Sequence, residues 1–326
     1  MALQTFQFKA QVSWLAGACL LAGLTMPGQV AGAQQPAVVS AIPEHAIAGQ
    51  PEGTPRSWAE AAIRNELSII DDEDKVPLRY RQRKVDAKGD ITREIIESKD
   101  GNVARLVERN GEPITAAEDA AELDRLKEDI AAPYDFIKHH RRDSETRDEA
   151  MKLVLLLPQA MIYSYAPGQP QQKGADGQQV VLDFHPDPTF RPPTMFADML
   201  TGLEGRVWID SRSRCMTRTE AQVLHPVNIG FGFVAKIFPG GTVELEQTHA
   251  SGDRWVYSHL DEHLTARVLM VKTLPENAAI TSWDFRPMPS LPYQDALRAL
   301  LAMTIPLRQG FSQPRQRHGA TFDDAR

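Results

Sequence analysis

Turn signals at regular intervals are the feature that most restricts what this chain can fold into. Lys-Gly, Asp-Gly and Asn-Gly dipeptides end at Gly89, Gly101 and Gly111, which are 12 and 10 residues apart. The segments between them, residues 91–98 and 103–109, carry the β-branched residues typical of strands. Short segments of this kind, joined by Gly-containing turns, predict antiparallel strands linked by hairpins.

The same pattern returns in the second half of the chain. Nine further strand-like segments are predicted between residues 160 and 286, with Gly or Pro in most of the gaps between them. Residues 228–238 are predicted to form one of these strands without a break. Because strands and helices do not alternate along the chain, a parallel doubly wound sheet is disfavoured. One long antiparallel sheet has to bend to bury a face, since wide, strongly twisted sheets curl.

Four helices are predicted, and they are grouped rather than interleaved with the strands. The first is expected to be capped by Ser57. The second begins with a capping box at Thr115, which has a glutamate three residues later, and the third ends at Pro158. The basic run at residues 138–142 is predicted to be the loop between these two helices. With a short helix over residues 293–303, the pattern predicts an α+β fold with a curved antiparallel sheet.

The first 33 residues have the layout of a secretory signal peptide. One positive charge precedes an apolar run over residues 12–26, and Ala31 and Ala33 form a small-x-small cleavage site. The sequence therefore predicts export, in a bacterium to the periplasm, with cleavage after Ala33. A lipoprotein anchor at Cys19 is the alternative. Removal of this segment would leave Cys215 as the single cysteine, so no internal disulfide is expected.

Composition bounds the rest of the organisation. A hydrophobic share of 42% is enough for a core, and a net charge of −7 gives no basic face for nucleic acid. No second apolar stretch approaches membrane-spanning length, so we expect no stable span after cleavage. We predict a signal peptide at 1–33, a flexible leader at 34–55, a single domain at 56–305 and a polar C-terminal tail at 306–326.

The strongest enzymatic candidate is the segment with His259, Asp261 and His263, close in sequence to His249. On a helix, the two histidines four residues apart would share a face and could bind zinc. The alternation around them predicts a strand instead, on which four residues span about 13 Å, too far for both imidazoles to reach one ion. The order H-x-D-E-H also differs from H-E-x-x-H. We therefore predict solvated or hydrogen-bonded histidines and no metal site.

Other polar groups carry weaker signals. Asp183, His185 and Asp187 share one face of a predicted strand, which would allow a metal or acid–base role. Cys215 is predicted to be a buried small hydrophobe rather than a reactive thiol. The G-x-S-x-G and P-loop motifs are absent from the sequence, so no catalytic residue is predicted.

One ordered set of motifs carries a family resemblance. The segment GRVWID at residues 205–210, followed by residues 214–220, is similar to the strand pair "G-x-x-W-I-D, then R-x-E" of outer-membrane lipoprotein-sorting proteins. Residues 182–186 and 254–256 are similar to the flanking strands. Over residues 58–286 the chain resembles the LolA-like superfamily of exported lipoprotein-sorting and lipoprotein-sensing proteins. The stretches 167–179 and 186–193 look like insertions relative to that family.

The resemblance implies a half-barrel, an unclosed antiparallel sheet with helices against its concave side. It also implies a cavity between sheet and helices that binds acyl chains without covalent chemistry. In the segment 228–238, the odd-numbered positions from Ile229 would share one strand face. From such face assignments the candidate cavity residues are Phe231, Phe233, Ile237, Trp255, Tyr257, Trp283 and Phe285. Simple filling of the core by the same side chains is the alternative.

We therefore expect an exported, non-enzymatic protein that binds a hydrophobic ligand in a half-barrel cavity. Its partner is expected to be a lipid or an acylated protein, with no cofactor and no nucleic acid. Two alternatives stay open at this point. One is an envelope structural or interaction module whose sheet edges bind other proteins. The other is a metal-dependent hydrolase that uses His249, His259, Asp261 or His263.

Overall fold

The computed structural model describes residues 51–70, 76–229, 235–251, 254–268 and 272–308. Over these residues the chain forms four α-helices, one 3₁₀ helix and thirteen strands of one sheet. The helices are α1 (Pro55–Ile70), α2 (Ala116–Ala131), α3 (Pro133–Ala160), the 3₁₀ helix (Phe196–Gly202) and α4 (Tyr293–Leu301). The strands are β1 (Leu78–Asp86), β2 (Gly89–Ser98), β3 (Gly101–Arg109), β4 (Glu112–Pro113), β5 (Met161–Tyr165), β6 (Gln179–Pro186), β7 (Leu203–Asp210), β8 (Met216–Val223), β9 (Val227–Ile229), β10 (Ala235–Ile237), β11 (Thr242–Ser251), β12 (Arg254–Val268) and β13 (Lys272–Pro287).

Several predictions concern the ends of the chain. The predicted signal peptide, residues 1–33, lies outside the described residues. So do most of the predicted leader, 34–55, and most of the predicted tail, 306–326. Within the described ranges, no helix is both long enough and apolar enough to cross a membrane.

The sheet is open and its strand pairs are antiparallel. Its order is β4-β3-β2-β1-β13-β12-β11-β8-β7-β6-β5, so the pairing of β1 with β13 joins the N-terminal hairpins to the C-terminal strands. Strand β10 pairs with the last residues of β12 and with β9. The predicted α+β fold class with an open antiparallel sheet is confirmed.

The half of the sheet from β5 to β12 is curved. Six neighbouring strands, β5, β6, β7, β8, β11 and β12, each place a side chain on the wall of one cavity. At the usual spacing of about 4.8 Å, six strands laid flat would extend over about 24 Å. Their side chains converge on one space because the sheet wraps around it. Helices α1 and α3 complete the wall on this concave side.

Helices α2 and α4 pack on the opposite face at the other end of the sheet. Ile95 in β2 faces the concave side, as the register with β1 and β13 and its contact with Tyr80 establish. Its neighbour Ile96 must face the other way, since consecutive strand side chains alternate. Ile96 packs there against Leu297 of α4 and Leu126 of α2. The two helix pairs therefore cover different faces at different ends of one sheet.

Local sequence determines where helices α1 and α2 begin. The predicted capping box of α2 is confirmed, with the Thr115 side chain accepting from the backbone N–H of Glu118. The predicted cap of α1 is wrong. Thr54 Oγ1 accepts from the N–H of Ser57 at 3.1 Å, and Ser57 Oγ accepts from the N–H of Thr54 at 3.0 Å. Thr54 is thus the cap and Pro55 the first helical residue, a position that suits proline's fixed φ.

Helix α3 is longer than predicted. It runs from Pro133 to Ala160, so the backbone of residues 138–142 is helical and the predicted loop there is wrong. Pro133 starts the helix two residues after α2 ends at Ala131. Pro158 lies inside the last turn and does not end the helix at its own position. The chain turns between α2 and α3 at a proline rather than at the charged run.

The predicted continuous strand over residues 228–238 is also wrong. Strands β9 and β10 pair antiparallel, with Ile229 opposite Ala235. The chain direction is therefore opposite in these two strands, and residues 230–234 between them lie outside the described residues. A reversal removes the common face that an unbroken strand would have given to Ile229 and Ile237.

One buried arginine of β3, Arg105, forms hydrogen bonds that hold α2 and α4 to this strand. The guanidinium of Arg105 is 3% exposed and donates to the carbonyls of Leu300 and Met303 at 2.6 and 2.7 Å. It also donates to Asp119 of α2 at 2.8 Å. Arg109, on the same strand, forms a far more exposed pair with Glu118 at 3.0 Å.

Replacing Arg105→Leu should lower the free energy of unfolding by about 3 kcal/mol, because it leaves Asp119 and two carbonyls without their donor. The matched change Arg109→Leu should cost less than about 1 kcal/mol, as is usual for an exposed pair. Urea denaturation of both variants measures the difference. Equal losses at the two positions would contradict this account of how α2 and α4 are held.

Candidate functional site: an apolar cavity with a buried carboxyl

The candidate site is the cavity between α1, α3 and the concave face of the sheet. It holds about 860 Å³ of space that atoms do not fill, counted out to its open mouth. The apolar lining residues are Ala59, Ala62, Ile63, Ile70, Ala150, Val154, Leu157, Met161, Phe184, Leu203, Val207, Ile209, Met216, Ala221 and Leu245. Polar atoms come from Glu66, Tyr163, Thr219 and Tyr257.

Helix α1 forms one wall and is fastened at several points. Trp58 is 3% exposed, and its indole N–H donates to the carbonyl of Glu52 at 2.8 Å. The guanidinium carbon of Arg214 lies 3.3 Å from the centre of the Trp58 ring. Further along the helix, Asn65 donates to the carbonyl of Ser213 at 2.8 Å. The contacts with Arg214 and Ser213 hold α1 to the turn between β7 and β8, and so set the position of the next residue, Glu66.

Glu66 is a carboxyl group placed inside this apolar wall. The residue is 5% exposed. The hydroxyl of Tyr257 on β12 donates to its Oε1 atom, and the side-chain amide of Gln247 on β11 donates to its Oε2 atom at 2.6 Å. The other side-chain atom of that amide, Oε1 of Gln247, is buried without a hydrogen-bond partner among the described residues. The described ion pairs do not include Glu66.

Burial raises the pKa of Glu66 above its ordinary value of 4.5, because the apolar wall disfavours the charged form. The hydrogen bonds from Tyr257 and Gln247 act in the opposite direction and are the smaller effect. Burial also raises the pKa of Tyr257, and the neighbouring Glu66 raises it further. Tyr163, across the cavity, has a pKa raised by burial as well. The site thus favours neutral side chains.

A β-bulge turns Tyr257 into the cavity. In the pairing of β11 with β12, Glu246 lies opposite His259 while Gln247 lies opposite Tyr257, so Ser258 is an extra residue. An extra residue shifts the alternation of faces by one position. Tyr257 and Leu260 therefore both contribute to the core on the concave side. Without this bulge, strict alternation along the strand would place Tyr257 and His259 on one face.

The predicted cavity residues are dispersed. Tyr257 lines the cavity, and Ile237 is buried in the adjoining core cluster. Phe285 packs with Tyr80 in another cluster, at a ring distance of 5.3 Å. Trp283 is 37% exposed, and Trp255 is half-buried beside the ring of His249. Phe231 and Phe233 lie outside the described residues.

The histidine segment lies on strand β12, as predicted. Nδ1 of His259 is 3.2 Å from the hydroxyl of Thr281, and Nδ1 of His263 is 3.2 Å from the side-chain oxygen of Asn277. His263 also contacts Asp261 through Nε2 at 3.1 Å. Among the side chains that the structure describes, no three His, Cys, Asp or Glu residues are grouped closely enough to hold a metal ion.

The remaining polar candidates have separate partners. Asp183 pairs with Arg206 across β6 and β7 at 2.6 Å. Asp187 accepts from the backbone and hydroxyl of Thr189, and His185 is exposed. Cys215 is 7% exposed, which agrees with its predicted burial.

The residue that sequence reasoning missed is Glu66. It lies four residues after Ala62 and four before Ile70, both of which are buried on α1. A charged residue at a position of the apolar stripe is the signal that could have identified it.

Comparison of the chain with protein-family models, with curated proteins and with solved structures gives no match.

The raised pKa of Glu66 has a consequence for stability against pH. Between the unfolded pKa, near 4.5, and the higher folded pKa, the folded state keeps a proton that the unfolded state has lost. Stability therefore falls as the pH rises through this window and stays lower above it. The variant Glu66→Gln lacks this titration, so its free energy of unfolding relative to the wild type should increase from pH 4 to pH 8.

Urea denaturation across that pH range measures the effect. Glu60→Gln removes a carboxylate from the same helix, where Glu60 forms an exposed pair with Arg56 at 3.0 Å, and serves as the control. If the Glu66→Gln difference is the same at every pH, or shrinks as the pH rises, burial does not govern this carboxyl.

Proposed function

We propose that the protein is exported and binds a hydrophobic ligand, or the acyl chain of a lipidated partner, in the cavity beside α1. The reaction is reversible binding without covalent chemistry. The observation that carries the proposal is the lining of the cavity, which is apolar apart from Glu66, Tyr163, Thr219 and Tyr257. Water can form few hydrogen bonds with such a wall. An alkyl chain, in contrast, is removed from water when it enters the cavity.

The energetics favour an apolar occupant. Each methylene group transferred from water to an apolar wall contributes about 0.8 kcal/mol. Wall atoms that face an empty space also lack the dispersion contacts that a close-packed core has. An alkyl chain in the cavity would supply both terms.

Two features of the sequence support export and the kind of ligand. Residues 1–33 have the layout of a signal peptide, and residues 205–210 carry the strand motif that resembles the LolA-like superfamily. That resemblance, together with the open antiparallel sheet, favours a carrier or sensor of acyl chains in the cell envelope.

Filling part of the cavity should weaken binding. Thr219 lines it from β8, so Thr219→Phe places a ring where the chain would lie. Displacing two methylenes costs about 1.6 kcal/mol, and we expect the affinity for decan-1-ol to fall about tenfold or more by isothermal titration calorimetry. The matched control is Thr242→Phe, an exposed position on β11 outside the cavity. It should bind as the wild type does.

Absence of decanol binding in the wild type, or equal binding by both variants, would remove the cavity as a ligand site. Native mass spectrometry of protein purified without detergent provides a second measurement, since a carrier should retain lipid. An empty protein that instead recovers a stable protein partner from envelope extracts would favour the interaction-module alternative.

Export is tested by the mass of the processed chain. When the full chain is expressed in a bacterial host, the periplasmic fraction should contain a protein that begins at Gln34. The variant Ala33→Arg should block cleavage, because the site requires a small residue. A cytoplasmic protein that keeps Met1 would contradict export.

A further inference from the structure

We propose that the cavity selects apolar molecules with a cationic amine head group, and that Glu66 is the counter-ion for that amine. This inference rests on the proposed function, since it takes the cavity to be a ligand site. It adds the chemistry of the head group, which neither the apolar lining nor the family resemblance specifies.

The cavity offers hydrogen-bond acceptor positions that have no described donor. Glu66 lines the cavity, and the described donors, Tyr257 and Gln247, occupy one acceptor position on each of its two oxygens. A carboxylate offers about four such positions, so about two are left. An ammonium group brings three N–H donors and no acceptor, which matches this surplus.

The charges of the described lining residues favour a cationic ligand. None of the described residues lining the cavity is Lys, Arg or His. A ligand with a carboxylate or phosphate head group would place a second negative charge beside Glu66 with no cation to compensate it. A buried carboxylate is stable when it is paired and hydrogen-bonded. The protein supplies the hydrogen bonds from β11 and β12, and the amine supplies the missing charge.

Ionisation of Glu66 couples the binding of an amine to pH. Burial raises the pKa of this carboxyl, so the unliganded protein holds the proton to a higher pH than an exposed glutamate does. The other titratable residues that line the cavity are Tyr257 from β12, which donates to Glu66, and Tyr163 from β5; among the described residues, α3 contributes Ala150, Val154 and Leu157 to the cavity. Entry of an ammonium group favours the ionised carboxylate, and the proton leaves to solvent. Amine affinity should therefore increase with pH until Glu66 is ionised in the free protein.

The experiment compares three ligands of equal chain length and different head group: decylamine, decan-1-ol and decanoate. Isothermal titration calorimetry at neutral pH should rank them in that order, with decylamine about tenfold or more tighter than decanol, as expected for a charge-assisted hydrogen bond. At a pH below the raised pKa of Glu66, proton release should make the heat of decylamine binding depend on the ionisation enthalpy of the buffer. A tighter affinity for decanoate than for decylamine would overturn the proposal.

The variant Glu66→Gln keeps the shape of the side chain and removes its charge. It should lower the ratio of decylamine to decanol affinities about tenfold or more, and abolish the buffer dependence. Glu60→Gln, outside the cavity, should leave that ratio as in the wild type. An unchanged ratio in Glu66→Gln would refute the role of Glu66. The ranking and the buffer dependence are wild-type measurements, so they test the proposal even if the variant does not fold.

The outcomes separate the two levels of the proposal. If decanol binds and Thr219→Phe prevents it, but decylamine has no advantage, the ligand site stands and the head-group assignment fails. If none of the three ligands binds, the proposed function fails and this inference fails with it.

Discussion

The structure depends on how one wide antiparallel sheet buries its inner face. Among the described helices, α1, α3 and the 3₁₀ helix pack against the half from β5 to β12, and they are too few to cover six flat strands. Because the strands bend around α1, their side chains converge and a small number of helical residues can meet all of them. Bending also leaves more room at the centre of curvature than the side chains of α1 fill. The same geometry that buries the sheet thus creates the cavity.

The helices at the other end of the sheet solve a different problem. There, α2 and α4 pack on the opposite face of β2 and β3, and Arg105 ties their backbones and side chains to β3. Among the described helices, this leaves the concave face to α1, α3 and the 3₁₀ helix. Because the helices are divided between the two faces, α2 and α4 pack at one end of the sheet, and the cavity is enclosed at the other end.

Glu66 links the fold to the proposed chemistry. A lone carboxyl in an apolar wall costs free energy, and a leucine at that position would pack without that cost. Its two donors come from neighbouring strands, and one of them, Tyr257, reaches it because a bulge at Ser258 turns the strand. Three separate elements therefore converge on one polar group. In the proposed function, that group is what distinguishes a selective binding site from an oily void.

Much of the local structure could be read from the sequence, because it depends on residues close together in the chain. Gly89, Gly101 and Gly111 mark hairpin turns by their own conformational freedom, and the Thr115 cap needs only a glutamate three residues away. The strand assignment of His259 likewise follows from its neighbours. The sequence was less informative at residues 138–142, whose charges are typical of a loop although their backbone lies within a helix that continues to Ala160.

The site shows the same division. The sequence by itself determined an α+β chain with a run of antiparallel strands and apolar faces, since periodicity and turn chemistry are local properties. It could name Tyr257 as one residue on such a face. Only the tertiary structure decided that β9 and β10 reverse, that a bulge re-aims β12, and that Glu66 on the first helix meets side chains about 180 and 190 positions later. Those outcomes depend on strand register and sheet curvature, which arise from the packing of the whole chain and from no single segment of it.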